Sequence, residues 1–170
     1  MVFEELKSEG IETELIELAG KNIKNCLACR KCFETKDKKC IIKTDMLNEI
    51  IEKMANADAI ILGSPTYFAN VTPEIKALID RAGLVAIANG HLFARKAGAA
   101  VVAVRRAGST NTFDAINKFF FINQMIVPGS SYWNMGMGFM PGDVDNDEEG
   151  VKTMKNLGQN MAWLMNKINA

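Results

Sequence analysis

Four cysteines lie close together in this 170-residue chain, and it has no others. They are Cys26, Cys29, Cys32 and Cys40, in the segment CLACRKCFETKDKKC. Thiolates at this spacing can surround one metal centre when the segment forms a loop. The chain begins with the charged, amphipathic residues MVFEELKSEG and not with a secretory signal pattern, so we expect a cytoplasmic protein with reduced thiols. Metal binding or thiol redox chemistry is therefore favoured over disulfides.

The spacing of the cysteines favours an iron–sulfur cluster. Four thiolates are the ligands of a [4Fe-4S] cluster, and three cysteines at two-residue spacing followed by a fourth can supply them. Zinc is an alternative because four thiolates also satisfy it, although zinc sites usually combine two separate CxxC pairs. A group of free thiols without metal is another alternative. The lysines and arginine between the cysteines are expected to lower the pKa values of the thiols.

Composition excludes several classes of partner. The chain has 20 basic and 20 acidic residues and a formal net charge of zero, so neither nucleic acid nor an anionic membrane is an expected partner. No apolar run is long enough to span a bilayer. Hydrophobic residues make up 48% of the chain, which is enough for one ordinary core. We expect a single domain over residues 1–170.

Helical and strand patterns alternate along the chain. This alternation predicts an α/β fold, with a doubly wound parallel sheet covered on both faces. Helices are predicted at residues 2–10, 44–57, 111–125 and 147–168, and from Thr72 and Pro73 onward. Strands are predicted at residues 11–18, 58–64 and 97–104, and within residues 125–133.

Two loops follow buried strands and should lie where the carboxyl ends of parallel strands bind ligands. The first loop is GSPTYFAN, residues 63–70, whose aromatic rings and backbone donors suit a flat heterocycle. The second loop is RRAGST, residues 105–110, whose arginines suit an anion or a developing negative charge. Ordinary strand-to-helix turns are the plainer interpretation of both.

The sequence resembles the iron–sulfur flavoprotein family in three segments and in their order. These are the cysteine segment, the first loop followed by TPEIKALIDRAG, and the second loop. This family is a branch of the flavodoxin-like NAD(P)H-dependent FMN reductases. The resemblance implies a flavodoxin-like fold, bound FMN, a [4Fe-4S] cluster, and a homodimer or tetramer. It also implies electron transfer from NAD(P)H or ferredoxin to a small acceptor such as a quinone, a flavin or an oxygen species.

The resemblance also assigns residues by position. It implies that the cluster ligands are Cys26, Cys29, Cys32 and Cys40. It implies that the residues facing the flavin ring are Ser64, Pro65, Thr66, Tyr67 and Phe68, with Asn70 nearby. It implies that Arg105, Ala107 and Gly108 form the second flavin loop.

One departure from the family concerns the FMN phosphate. Family members begin with a strand and a Ser- and Thr-rich loop that cradles this phosphate at a helix N-terminus. The present sequence starts inside the first helix, so we expect a sheet without its first strand, and weak or absent FMN binding. A non-catalytic metal-binding or thiol redox-sensing protein with an incomplete flavin site is therefore the alternative function.

Overall fold

The structure, a computed structural model, describes residues 1–168 and has the predicted α/β architecture. Within these residues, three α-helices precede the first of three strands, and an α-helix follows each strand. The strands are β1 (Ala59–Pro65), β2 (Ala97–Val104) and β3 (Met135–Met137). The helices are α1 (Val2–Ser8), α2 (Lys31–Thr35), α3 (Leu47–Asn56), α4 (Pro73–Ala88), α5 (Ser109–Ile122) and α6 (Glu148–Ile168). A short 3-10 helix covers Asp143–Asn146.

The three strands form one parallel sheet in the order β1-β2-β3. Ala59 pairs with Ala97 at one end of β1, and Pro65 pairs with Ala103 at the other. The carboxyl ends of β1 and β2 therefore lie side by side. Loops that leave these two strands must start next to each other.

Helices cover both faces of the sheet, which confirms the predicted doubly wound arrangement. α3, α4 and α5 pack on one face around buried residues such as Leu62 and Val102. α1 and α6 pack on the other face, against Ala97 and Ala99 of β2. Within residues 1–168, no helix combines the length and the apolar character that crossing a membrane requires.

Two predicted strands are wrong. Residues 11–18 form no strand. Their apolar residues alternate with polar ones, but no described strand pairs with their backbone. Leu15 within them is 79% exposed. In residues 125–133 only Ile126 makes an isolated bridge, to Ala97. The third strand begins at Met135 instead. Just before it, the carbonyl of Asn134 accepts a hydrogen bond from the amide of Val102.

Helix α4 begins where the sequence predicts. Thr72 has extended backbone, and its hydroxyl accepts a hydrogen bond from the amide of Ile75 at 3.4 Å. Pro73 occupies the first helical position, where its missing amide costs nothing. The helix then runs beneath the cysteine segment and contacts α2. It thus connects the end of the first loop to the region of the four cysteines.

Candidate functional site

The first and second loops meet at the carboxyl edge of the sheet. The amide of Thr66 donates to the carbonyl of Ala103 at 2.8 Å, which extends the β1–β2 pairing into the loops. Gly108 has a φ of +85°, and a β carbon there would lie 2.9 Å from the β carbon of Ala69. The two predicted loops therefore touch, at a position that admits only glycine without displacement.

The first loop presents two aromatic rings to solvent. Tyr67 and Asn70 exchange backbone hydrogen bonds at 2.9 and 3.0 Å, which closes a tight turn. Phe68 and Ala69, at the tip of this turn, both have left-handed backbone conformations. The Phe68 side chain is fully exposed and Tyr67 is 58% exposed. Large exposed rings on a strained turn are typical of a ligand-binding edge.

The polar side chains of the first loop differ in what they bind. The Ser64 hydroxyl is buried, donates to the carbonyl of Pro65, and accepts from the amide of Thr72. Asn70 accepts from the amide of Val71 through its side-chain oxygen. The Thr66 hydroxyl is buried, and no described residue is its partner. Because buried hydroxyls are normally paired, this atom fits a ligand that carries hydrogen-bonding groups, such as a flavin ring.

The second loop contributes charge and backbone amides. The Arg105 guanidinium lies 4.4 Å from the centre of the Phe139 ring, a cation–π distance. Ala107 is exposed, and Gly108 precedes the first turn of α5. Gly108 brings the N-terminus of α5 against the tip of the first loop, while the Arg105 guanidinium lies on the Phe139 ring.

All four cysteines line a single cavity. We call residues 26–40, from the first to the last of them, the cysteine arm. Cys32 is buried, Cys26 and Cys40 are half-buried, and Cys29 is exposed. The rest of the cavity lining is mainly apolar and comes from Leu27, Ile41, Ile42, Leu84 and Val85, with Arg30 and Arg81. The predicted ligands thus line one space, with Cys32 as its buried member and Cys29 as its exposed member.

The backbone of the cysteine arm is strained. Four of its non-glycine residues have left-handed conformations, Ala28, Arg30, Lys36 and Lys38. Each costs about 1–2 kcal/mol relative to ordinary backbone. Ala28 lies between Cys26 and Cys29, and Arg30 lies between Cys29 and Cys32, so backbone reversals separate the first three cysteines. Strain of this kind concentrates at ligand clamps, which fits a cluster loop.

The four cysteines share one cavity, but the structure does not group them as a metal site. Among the described residues, no three cysteine, histidine or acidic side chains are grouped closely enough to hold one metal ion. Four thiolates are the ligand set of a [4Fe-4S] cluster and also satisfy a zinc ion, so the donor types fit either group. The cluster ligand set therefore stays a prediction of the sequence.

The expected lowering of thiol pKa values is wrong for Cys32. Burial raises the pKa of this thiol, and the nearby Cys40 raises it further. Backbone hydrogen bonds lower the pKa, but by less, so it lies above its usual value. The lysines of the arm do not offset this burial, because their side chains extend into solvent. In the metal-free protein Cys32 is consequently a poor nucleophile at neutral pH.

Three residues that support the arm were missed in the sequence. Asn48 of α3 accepts from the amide of Cys40 at 2.7 Å and donates to the carbonyls of Cys40 and Ile42. Arg81 and Asp45 form an ion pair in which both side chains are buried. The sequence of α4 held one sign of a buried ion pair. Arg81 lies on the apolar face of this helix, between Leu78 and Val85.

Asp45 holds the other end of that ion pair. Its carboxylate also accepts from the amide of Leu47, the first residue of α3, at 3.2 Å. It also accepts from the amide of Lys24 at 3.0 Å. Burial raises the pKa of Asp45, but the bonds from Arg81 and these amides outweigh it, so the pKa lies below its usual value.

Comparisons with known proteins identify relatives and folds. The profile of the NADPH-dependent FMN reductase family matches residues 1–139. An iron-sulfur flavoprotein of Methanocaldococcus jannaschii is 41% identical over 170 residues, covering 96% of this chain and 86% of the relative. Another, from Methanosarcina thermophila, is 32% identical over 164 residues, covering 95% and 83%.

Solved structures share the fold at lower identity. RosB with bound 8-demethyl-8-formylriboflavin-5'-phosphate has a TM-score of 0.75 at 16% identity, over 99% of this chain and 72% of that one. A flavodoxin from the domain Archaea has a TM-score of 0.60 at 15% identity, over 99% and 86%. These likenesses establish a flavodoxin-like fold.

Proposed function

Because the chain belongs to the NADPH-dependent FMN reductase family, in its iron–sulfur flavoprotein branch, we propose that it passes electrons between FMN, a [4Fe-4S] cluster and a small acceptor. The family places the chain among the flavin-dependent oxidoreductases. The proposed donor is NAD(P)H or ferredoxin, and the proposed acceptor is a quinone, a flavin or an oxygen species. When bound, FMN accepts two electrons as a hydride and releases them singly, and the cluster carries one electron at a time.

One observation carries the proposal. All four cysteines line one mainly apolar cavity. The same chain brings its two predicted flavin loops into contact at the carboxyl edge of the sheet. A thiol sensor requires only an accessible cysteine, and a zinc loop requires no second site. The combination is what an electron carrier with two centres requires.

The loops can bind and orient a flavin ring through their own groups. Tyr67 and Phe68 can cover a face of the ring, because both side chains are exposed at the edge where ligands bind. The Thr66 hydroxyl can bond to a polar ring atom. Arg105 can stabilise negative charge that develops on the ring. Pro65 ends β1 and sends the chain out of the sheet toward these positions.

The arm can hold the cluster and limit its contact with water. Cys32 would be the most sheltered ligand and Cys29 the most exposed. Apolar residues such as Leu84 and Val85 form the inner wall of the cavity. The apolar wall would keep water from most of the cluster, and the exposed ligand Cys29 would let electrons leave toward solvent.

We also propose that the protein works as a homodimer or tetramer. Phe68, Phe139 and Trp133 are each more than half exposed, and large exposed apolar side chains favour association. Light scattering at working concentration tests this proposal. A monomer at all concentrations would contradict it.

An anaerobic electron-transfer assay tests the proposed function. The protein is reconstituted anaerobically with iron, sulfide and FMN, and is then mixed with NADPH, NADH or reduced ferredoxin. Separate reactions supply a quinone, added free flavin, or oxygen admitted after reduction. We expect one donor to reduce the quinone, and C29S to lose this transfer while it retains flavin binding. If iron and flavin are bound but no donor reduces a quinone, free flavin or oxygen, the proposal fails. Reversible disulfide formation by peroxide in that case would favour the thiol-sensing alternative.

A further inference from the structure

The guanidinium of Arg81 is completely enclosed and uses every hydrogen it has. Its side chain is inaccessible to solvent, and only 2% of the side chain of Asp45, its ion-pair partner, is exposed. A guanidinium has five N–H donors. Five acceptors surround this one, and they are Asp45 Oδ1 and Oδ2, the carbonyl oxygens of Lys24 and Ile42, and Cys40 Sγ.

Three of these acceptors belong to the cysteine arm or its flanks. Arg81 Nη1 donates to the Lys24 carbonyl at 3.0 Å, two residues before Cys26. Arg81 Nη2 donates to the Ile42 carbonyl at 3.1 Å, two residues after Cys40. One side chain of α4 therefore joins the two ends of the arm, which closes it into a loop.

The remaining contact reaches a predicted cluster ligand directly. Arg81 Nε donates to the Cys40 sulfur at 3.3 Å. The two Nη atoms are held by the Asp45 carboxylate at 2.5 and 3.2 Å, which fixes the plane of the guanidinium and aims Nε at the sulfur. Asp45 thus orients the donor, and Arg81 contacts the ligand.

We propose that Arg81 is the positioning residue of the cluster site: it closes the cysteine arm and, through its bond to Cys40 Sγ, raises the reduction potential of the bound cluster. The second part rests on the proposed function. One-electron reduction adds one negative charge to a cubane without making or breaking a bond. A hydrogen bond and a buried cation at a ligand sulfur stabilise this more negative form.

Lysine is the informative replacement. R81K keeps a positive charge opposite Asp45, but an ammonium has three donors and no planar fork. It cannot serve the carboxylate, both carbonyls and the sulfur together. A second variant, R81M/D45N, removes both charges at once and leaves no buried charge without a partner, so it guards against failure to fold. R30Q is the control, because Arg30 also lines the cavity but is exposed.

The first measurement uses the metal-free protein. Amide hydrogen exchange is followed in peptides covering residues 24–45. In R81K and R81M/D45N we expect exchange to accelerate at least about tenfold, the effect of losing one charge-assisted hydrogen bond. R30Q should exchange like the wild type. Unchanged exchange in both Arg81 variants would contradict the closing of the arm by Arg81.

The second measurement is the reduction potential of the reconstituted cluster, read by optical titration. At a fixed applied potential near the midpoint, we expect the reduced-to-oxidised ratio in R81K to fall about tenfold, which is about 59 mV for a one-electron couple. R30Q should change the ratio by less than about twofold, because solvent screens its charge. Equal potentials in R81K and wild type would overturn the tuning role. A wild type that binds no cluster would contradict the proposed function, and the exchange measurement would still decide the role of Arg81 in the arm.

Discussion

A β carbon on Gly108 would lie 2.9 Å from the β carbon of Ala69 and 3.0 Å from its α carbon. The second loop therefore rests directly on the tip of the first, where Phe68 and Ala69 have left-handed backbone. This contact fixes the tip of the first loop, which carries the exposed Phe68 ring, against the start of α5. It is the structural basis of the proposed flavin site.

Replacing Gly108 by alanine should disrupt that contact. G108A adds left-handed strain of about 1–2 kcal/mol and a clash with Ala69, so the loops must separate. We expect weaker flavin binding, measured by quenching of flavin fluorescence. G90A is the matched control, because Gly90 has a φ of +83° but nothing within 4 Å of an added β carbon. Equal loss of flavin binding in both variants would show that strain alone, and not the loop contact, matters.

Replacing Thr66 by valine tests its buried hydroxyl. T66V removes a buried polar atom that has no partner in the described chain, at nearly constant volume. The flavin-free protein should be as stable as the wild type or up to about 1 kcal/mol more stable, while flavin affinity falls. T13V, which removes another unpaired hydroxyl outside both loops, should leave affinity unchanged. Unchanged affinity in T66V would remove this atom from the proposed site.

Replacing Asp45 by asparagine should strongly destabilise the metal-free protein. D45N leaves the Arg81 cation buried without its counter-charge, which typically costs about 3–5 kcal/mol. D80N breaks the exposed pair with Lys76 on α4 and should cost less than about 1 kcal/mol. Urea unfolding of the variants at pH 7 measures both. Similar losses of unfolding free energy in D45N and D80N would contradict a large contribution of the buried Arg81–Asp45 pair.

The contribution of Asp45 should also depend on pH. The pKa of Asp45 in the folded protein lies below its usual value, because Arg81 and two amides bind the carboxylate despite its burial. Its stabilisation is therefore complete above the unfolded pKa of about 3.9 and is lost as pH falls through the folded pKa. The difference in unfolding free energy between wild type and D45N should shrink only below about pH 4. If the difference in unfolding free energy already shrinks between pH 7 and pH 5, a group other than Asp45 causes the pH dependence.

Each cysteine of the arm should be needed for a full cluster. We expect C26S, C29S, C32S and C40S to retain much less iron after reconstitution than the wild type, because a cubane uses four thiolates. L27A is the control, since Leu27 lines the same cavity but is exposed and carries no thiol. Iron and sulfide analysis measures the outcome. Full iron in two or more of the serine variants would exclude the four-cysteine ligand set.

The sequence predicts the buried elements of the fold well. The run that becomes β2 is apolar throughout, so its strand character and its bounds follow from composition alone. Thr72 and Pro73 mark the start of α4 through local chemistry. Residues 11–18 mislead because alternation reports one covered face, whereas a strand also requires a neighbour for its backbone. β3 has only three residues, too few to show a period.

The candidate site is only partly readable from sequence. The cysteines and the two loops are local patterns, and each is contiguous along the chain. The bond between Arg81 and Cys40 joins residues 41 positions apart, and no local pattern encodes it. The same holds for the contact between Gly108 and Ala69. The raised pKa of Cys32 depends on burial, which the charged composition of the arm conceals.

The central claim is that the four cysteines hold one [4Fe-4S] cluster in a chain that also carries a flavin site. Its most direct test is metal and sulfide analysis of the anaerobically reconstituted protein, together with its visible spectrum. We predict about four irons and four acid-labile sulfides per chain, with a broad iron–sulfur absorbance that dithionite bleaches. A colourless protein with one zinc per chain and no labile sulfide would contradict the account.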